Sequence, residues 1–299
     1  MRADPFRCAD SAEVRGEPLY GTASFVRRWL LLEQPGSWGR DALTQSRLRS
    51  DLASGLRARA QAAGVRIILI RRGVRLSSDK RQCYFVRTDG CGLYQARLEL
   101  DKADDLLDVN LAPLCDGGVI LEATECTEPV FLVCTHGRHD QCCSIRGNQV
   151  SRVACAQQGV DAWQCSHIGG DRFAANLVCF PHGLYYGRVG PDDVVRLMND
   201  YTGGSLSLDH YRGRCCHVFP VQAAEYFARR ETGVSEIEGV SLSEWQRTSD
   251  GVTAVFSLAE RGELRVEVRV SKGAKERLTC GASGTDPLPV YELASCTSA

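Results

Sequence analysis

Neither cations nor anions are in excess in this chain. Its 36 Lys and Arg stand against 37 Asp and Glu, for a net charge of −1. That leaves no polybasic face for nucleic acid and no acidic tail. Lysine itself is scarce: Lys80, Lys102, Lys272 and Lys275 are its four occurrences, and arginine supplies the remaining cations. No apolar run approaches a membrane span, and the opening MRADPFRCADSAEV has no apolar core of signal-peptide length. The expectation is a cytoplasmic protein without a membrane partner. No G-x-G-x-x-G follows a strand, so no intrinsic nicotinamide or flavin site is expected. No motif places paired carboxylates as a glycoside hydrolase needs them.

Cysteine is what the chain has, with 15 in 299 residues. A reducing cytosol argues against a disulfide framework, and many of these thiols will be small buried hydrophobes. Spacing must therefore carry any claim. With 43% apolar and 24% charged residues the chain is globular, and its length suits two or three domains.

Residues 1–17 are polar and read as a terminus that is either loose or ordered on contact. Residues 18–125 follow the order strand, helix, strand, strand, strand, helix. The strands are Arg28–Glu33, Val65–Ile70, Cys83–Val86 and Leu93–Leu100, with a hairpin at Asp89-Gly90 and Gly92. The helices are Arg40–Ala63, stopped by Gly64, and Ala103–Leu111. This order matches a thioredoxin-like layer, a mixed sheet flanked by helices. Its loops carry no redox pair, and Cys83, Cys91, Cys115 and Cys126 read as packing residues. Residues 126–204 repeat the order with strands Phe131–Cys134, Ala162–Cys165, Ala174–Phe180 and Leu184–Val189. A helix opens at Cys142 or Cys143, blurred by Gly147, and another runs Pro191–Tyr201. The fold class is therefore α/β, two thioredoxin-like domains from an architectural duplication. Residues 205–299 form a small α+β appendage: a helix near Val221–Arg230, a hairpin at Arg261-Gly262 and a loose strand or tail. The Cys215-Cys216-His217 run invites zinc, but without a second ligand pair a solvent-facing cap is the better reading.

Chemistry concentrates between Phe131 and Val189. Cys134 ends a strand and Cys143 begins a helix, where free N–H groups and a partial positive charge favour thiolate, the metal-binding form. His167-Ile168-Gly169-Gly170-Asp171 follows the neighbouring strand and would face that loop. Gly169 and Gly170 would let backbone approach sulfur, and Arg172 would lie near an anionic site. His136, His139 and His182 read as solvated loop residues, and Tyr185 and Tyr186 as core and rim of a strand.

The phrases CTHGRHDQCC and CSHIGGDRFAANL resemble the sucrase/ferredoxin-like family over most of residues 20–230. In eukaryotic members the second motif is HxGGH, and two cysteines plus both histidines hold a [2Fe–2S] cluster. The resemblance implies Cys134, Cys143 and His167 as ligands. Asp171 stands in place of the second histidine, so the fourth ligand is open among Asp171, Cys165, Cys142 and Cys179. Charge does not separate Asp171 from Cys165; donor softness favours cysteine, and Asp171 could instead accept from the His167 ring. A histidine ligand links reduction to proton uptake, so the potential should vary with pH and lose that dependence in His167→Cys. The implied role is a [2Fe–2S] electron carrier or redox sensor, served by a partner reductase or acceptor. Two alternatives remain: a thiol-disulfide oxidoreductase using Cys134 with Cys142 or Cys143, and a zinc-stabilised binding module.

Overall fold

The computed structural model describes residues 6–72, 80–89, 92–259 and 262–298. Expectations resting on Gly73, Gly90, Cys91 and Arg261 lie outside the described residues. The chain opens with helix α1 (Cys8–Val14), then builds β1 (Arg28–Glu33), α2 (Ser50–Ala62), β2 (Arg66–Arg71), β3 (Arg81–Arg87), β4 (Tyr94–Leu100) and the two-residue β5 (Thr124–Glu125). The order then recurs as β6 (Val130–Cys134), α3 (Gln141–Cys155), β7 (Asp161–Cys165), β8 (Leu177–Phe180), β9 (Leu184–Tyr186) and α4 (Val194–Thr202).

Pairing repeats with the order. β1 lies parallel to β2 and antiparallel to β3, which pairs antiparallel with β4. Likewise β6 lies parallel to β7 and antiparallel to β8, which pairs with β9. These two mixed thioredoxin-like layers are not separate bodies. An antiparallel seam, Ile70 opposite Cys165 and Arg71 opposite Gln164, fuses them into one ten-stranded sheet.

Strand alternation then decides what each face buries. In β1, Leu30 and Leu32 pack with Leu52 and Leu56 of α2. In β6, Phe131 and Val133 pack with Val150 of α3 and Leu197 of α4. The opposite face is shared by both halves: Trp29 and Leu31 meet Val130, Leu132, Trp163 and Phe180. Curling closes this face on itself. The Trp29 and Phe180 rings lie 5.3 Å apart, although three strands separate β1 from β8 in the sheet. Tyr84 and Trp163 meet edge-on at 6.1 Å, and the Tyr84 hydroxyl donates to Asp161 Oδ2 at 2.5 Å. Each such aromatic contributes about 1.5–3 kcal/mol of burial, so the seam is a principal support of the site half.

The C-terminal region completes the molecule. β10 (Tyr211–Arg214) pairs with β9 and extends the large sheet. Helix α5 (Phe219–Thr232) has proline in its first turn and stops at left-handed Gly233. It packs on an antiparallel sheet of β11 (Val240–Arg247), β12 (Gly251–Leu258), β13 (Gly262–Glu276) and β14 (Asp286–Ser298). Among the described residues no helix is long and apolar enough to cross a membrane.

Several expectations are corrected. α2 begins at Ser50, not Arg40, because the Asp41 carboxylate accepts from Thr44 N and holds residues 41–45 in a turn. The expected helix Ala103–Leu111 is two short 3-10 turns, Ala103–Leu107 and Ala112–Leu114. Of the two readings of the N-terminal segment, order on contact holds for α1: Cys8, Ala9 and Ala12 are buried, while Asp10 and Glu13 pair with Arg146. Near the other end, residues 286–298 are a strand and not a tail, since β14 pairs along β13. Cys215 is no solvent-facing cap; it is buried with its Sγ 3.4 Å from Thr88 Oγ1.

Candidate metal centre

β6 and β7 are parallel, with Cys134 opposite Cys165 in register. Both strands therefore end at the same edge, and the loops after them meet there. The first loop turns at Thr135–Asp140 into α3. Asp140 caps that helix by accepting from Cys142 N at 2.9 Å, which sets Cys143 inward. The second loop carries His167 to Asp171 through Gly169 and Gly170, both in left-handed backbone. Donor atoms of Cys134, Cys143 and His167 lie within 4.8 Å of one another, and so do those of His139, His167 and Asp171. Two triads thus share His167.

Three thiols and acids here polarise one another. Hydrogen bonds from Cys143, Cys165 and His167 hold Cys134 well below the ordinary thiol range despite its burial. Cys143 is pushed up by the Cys134 thiolate beside it and by burial. Its Sγ donates to Asp171 Oδ1 at 3.1 Å. Burial alone would raise the Asp171 carboxyl, but His167 and the Cys143 thiol outweigh it and lower it. Burial opposes the His167 imidazolium, yet Asp171 and Cys134 lift it to about 9. The His167 Nδ1 stands 3.0 Å from Asp171 Oδ1, an ion-pair distance. An imidazole between a carboxylate and a thiolate is a donor set that a soft or borderline metal could take up in place of the ring proton.

Surrounding groups fix this geometry. His136 is buried, not solvated: its Nε2 donates to Gly39 O at 2.7 Å and its Nδ1 accepts from His167 N at 3.2 Å. The His139 ring stacks on His167 at 3.6 Å, with its Nε2 3.9 Å from Asp171 Oδ2. Arg212, fully buried, donates to Gly169 O at 3.1 Å, Asn176 Oδ1 at 2.7 Å and Thr22 Oγ1 at 3.1 Å. A Cβ on Gly170 would meet this guanidinium at 2.2 Å, and one on Gly169 would meet Ser24 Oγ at 2.1 Å. The glycines make room for these two side chains, not for sulfur.

Of the other sequence candidates, Cys165 stays beside Cys134 and the rest lie away from it. Cys165 lies on the same face as Cys134, in the shared core, as an added neighbour of its thiolate. Cys179 sits opposite Phe131 and points into the helix-covered core on the far face. Cys142 turns away from Cys134 toward Cys8 and Cys280. Arg172 pairs with Glu17 at 2.6 Å. His182 is mostly buried against Tyr201, and Tyr185 and Tyr186 are both fully buried. Sequence reasoning missed Arg212, Asp140, Cys8 and Cys280, and read His139 as a solvated loop residue and not as a donor. For His139 and Asp140 the signal was present in their places between Cys134 and Cys143.

A family described as sucrase/ferredoxin-like matches residues 19–213. Among solved structures, a cysteine-to-serine variant of the thioredoxin-like [2Fe-2S] ferredoxin from Aquifex aeolicus is similar at 17% identity. That likeness covers 29% of this chain and 99% of that one, with a TM-score of 0.26. No curated protein matches the sequence.

Proposed function

Because the chain belongs to the sucrase/ferredoxin-like family, we propose that it is a [2Fe–2S] protein serving electron transfer or redox sensing. The observation that carries this reading is the trio of Cys134, Cys143 and His167, whose donor atoms lie within 4.8 Å of one another around a stabilised Cys134 thiolate. These three residues would be ligands, and the fourth is Asp171 or His139, the other members of the triad that His167 shares. When bound, such a cluster would supply a one-electron couple.

The chain's own residues do the rest. Asp140 orients Cys143 through the helix cap, and Arg212 holds the second loop by its carbonyls. Arg66 fixes His167 from behind by donating to its carbonyl at 3.0 Å. His136 accepts the His167 backbone N–H and so helps hold the start of the second loop. Burial of Cys134 and Cys143, each 1% exposed, excludes water and counts against thiol exchange with a protein disulfide. His139, about a third exposed, is the group through which solvent or a partner reaches the centre. A partner protein would exchange the electron at this edge.

Anaerobic purification with iron and sulfide analysis tests the reading. It expects about two irons and two sulfides per chain, with a visible charge-transfer spectrum. Asp171→Ala and His139→Ala, compared by that spectrum, identify the fourth donor. Material that stays colourless and iron-free after reconstitution ends the proposal.

A further inference from the structure

Cys142 and Cys143 are consecutive at the start of α3, so their side chains diverge by about 100° around the helix. Cys143 faces Cys134. Cys142 faces two cysteines from the far ends of the chain: Cys8 in α1 and Cys280 in the loop between β13 and β14. The three Sγ atoms stand 3.7 Å (Cys8–Cys142), 3.4 Å (Cys142–Cys280) and 3.6 Å (Cys280–Cys8) apart. A disulfide would need about 2.0 Å, so none of the pairs is bonded. Four donors at zinc–sulfur distances of about 2.3 Å in a tetrahedron place neighbouring sulfurs about 3.8 Å apart. The thiols therefore already sketch one triangular face of a mononuclear site. Thiolates spread over the separate irons of a cluster would stand much farther apart than this.

Asp140 closes the figure. Both of its oxygens lie 3.7 Å from Cys8 Sγ, and all four donor groups fall within 4.8 Å of one another. The same carboxylate accepts from Cys142 N at 2.9 Å and Cys280 N at 2.7 Å, so it is held by two backbone donors from two remote segments. Cys8 N donates to Cys280 Sγ at 3.5 Å, the contact a thiolate accepts. Phe6, Ala9 and Ala174 enclose the group, and Cys8, Cys142 and Asp140 are 3% exposed or less. Arg277 donates to Cys280 O at 3.2 Å and brings positive charge to a site rich in anionic donors.

We propose that Cys8, Cys142 and Cys280, with Asp140 as fourth donor, form a structural zinc site that fastens the N-terminal helix and the β13–β14 loop onto the start of α3. Thiolate-rich tetrahedral donors select zinc, which has no redox couple of its own. The ion closes loops of 134 and 138 residues between its ligands, and binding releases the thiol protons. It borders the candidate iron centre through the adjacent residues Cys142 and Cys143 of α3, yet shares no donor with it.

The test uses the full chain, kept anaerobic, with metal content measured by elemental analysis after equilibration with zinc(II). The expected result is about one zinc per chain beyond any iron. Cobalt(II) in its place should give a tetrahedral sulfur-to-metal charge-transfer spectrum that zinc abolishes. Cys280→Ser, on the half-exposed loop, should lose both signals and the zinc-dependent rise in Tm. Cys8→Ser should do the same, while Cys296→Ser, a tail cysteine outside the group, keeps all three. Iron should be unchanged in Cys280→Ser. Background zinc in the native chain, zinc retained in both Cys8→Ser and Cys280→Ser, or iron lost together with zinc would each overturn the proposal. So would a native disulfide within the trio found by mass spectrometry.

Discussion

Replacing Gly147 with alanine puts the site geometry under direct load. An ideal Cβ at Gly147 would lie 2.0 Å from Cys134 O, 3.1 Å from Cys134 C and 3.6 Å from Thr135 Cα. All three are backbone atoms, so no side-chain rotation relieves the clash. Restoring even a 3.0 Å gap moves α3 and the end of β6 apart by 1.0 Å, one helical turn from Cys143. Overpacking of this kind costs about 1–3 kcal/mol, against which alanine returns roughly 0.5–1 kcal/mol of helix preference. The net loss should lower Tm by several degrees, at roughly 2–4 °C per kcal/mol for a chain of this class. It should also separate the two thiols and reduce bound iron. Gly55, in the equivalent helix α2, is the control. A Cβ there meets only Leu107 Cδ2, at 3.3 Å, a methyl that can give way. Gly55→Ala should hold or raise Tm and leave iron unchanged. Thermal unfolding and iron analysis of the two variants read both outcomes. If Gly147→Ala matches the native chain in Tm and iron, or the two variants shift alike, the close approach of α3 to Cys134 is not what positions the pair.

Glu225 is fully buried, and although burial alone would raise its carboxyl, Arg214 and Arg229 depress it from 4.5 to about 2. Its folded value lies below its unfolded one, so its stabilisation is present above pH 4.5 and lost as pH falls toward 2. That contribution is on the order of 3 kcal/mol. Urea midpoints of the native chain should fall through that window more steeply than those of Glu225→Gln, and parallel curves would contradict it. Arg212→Met should cost on the order of 3–5 kcal/mol by unpairing buried acceptors. Arg212→Lys should rescue little, since lysine lacks the fork that reaches Gly169 O and Asn176 Oδ1 together; full recovery of Tm and iron by lysine would refute this. Cys179→Ser should leave iron content and spectrum intact, because its thiol faces the opposite side of the sheet from Cys134; loss of iron without loss of Tm would reverse that placement.

What could be read in the sequence was what lies close along the chain. Cys134, Cys143, His167 and Asp171 sit in two loops that follow adjacent strands, and strand order alone sufficed to bring those loops together. Pairing register was not visible. Without it, Cys179 stayed open beside Cys165 as a fourth ligand, whereas β-strand parity puts Cys165 with Cys134 and sends Cys179 the other way. Gly147 read as a flaw in a helix because only the fold shows the carbonyl it leaves room for. Pro287 and Pro289 made the last residues look irregular. Both lie on β14, an edge strand, where a missing N–H costs no ladder bond if it faces outward. Cys8 and Cys280 were beyond any local reading, since 272 residues lie between two thiols that end 3.6 Å apart.

The closing of the large sheet on its own aromatic face binds the two repeats to a common fate. The half without ligands supplies Trp29, Tyr84 and Ile70 as the wall against which Trp163, Phe180 and Tyr185 rest. A fragment limited to the ligand-bearing repeat would lack that wall and lay Trp163, Phe180 and Tyr185 bare, along with the edge of β7. A substitution in the first repeat that disturbs this wall would therefore disable the centre without touching a single donor.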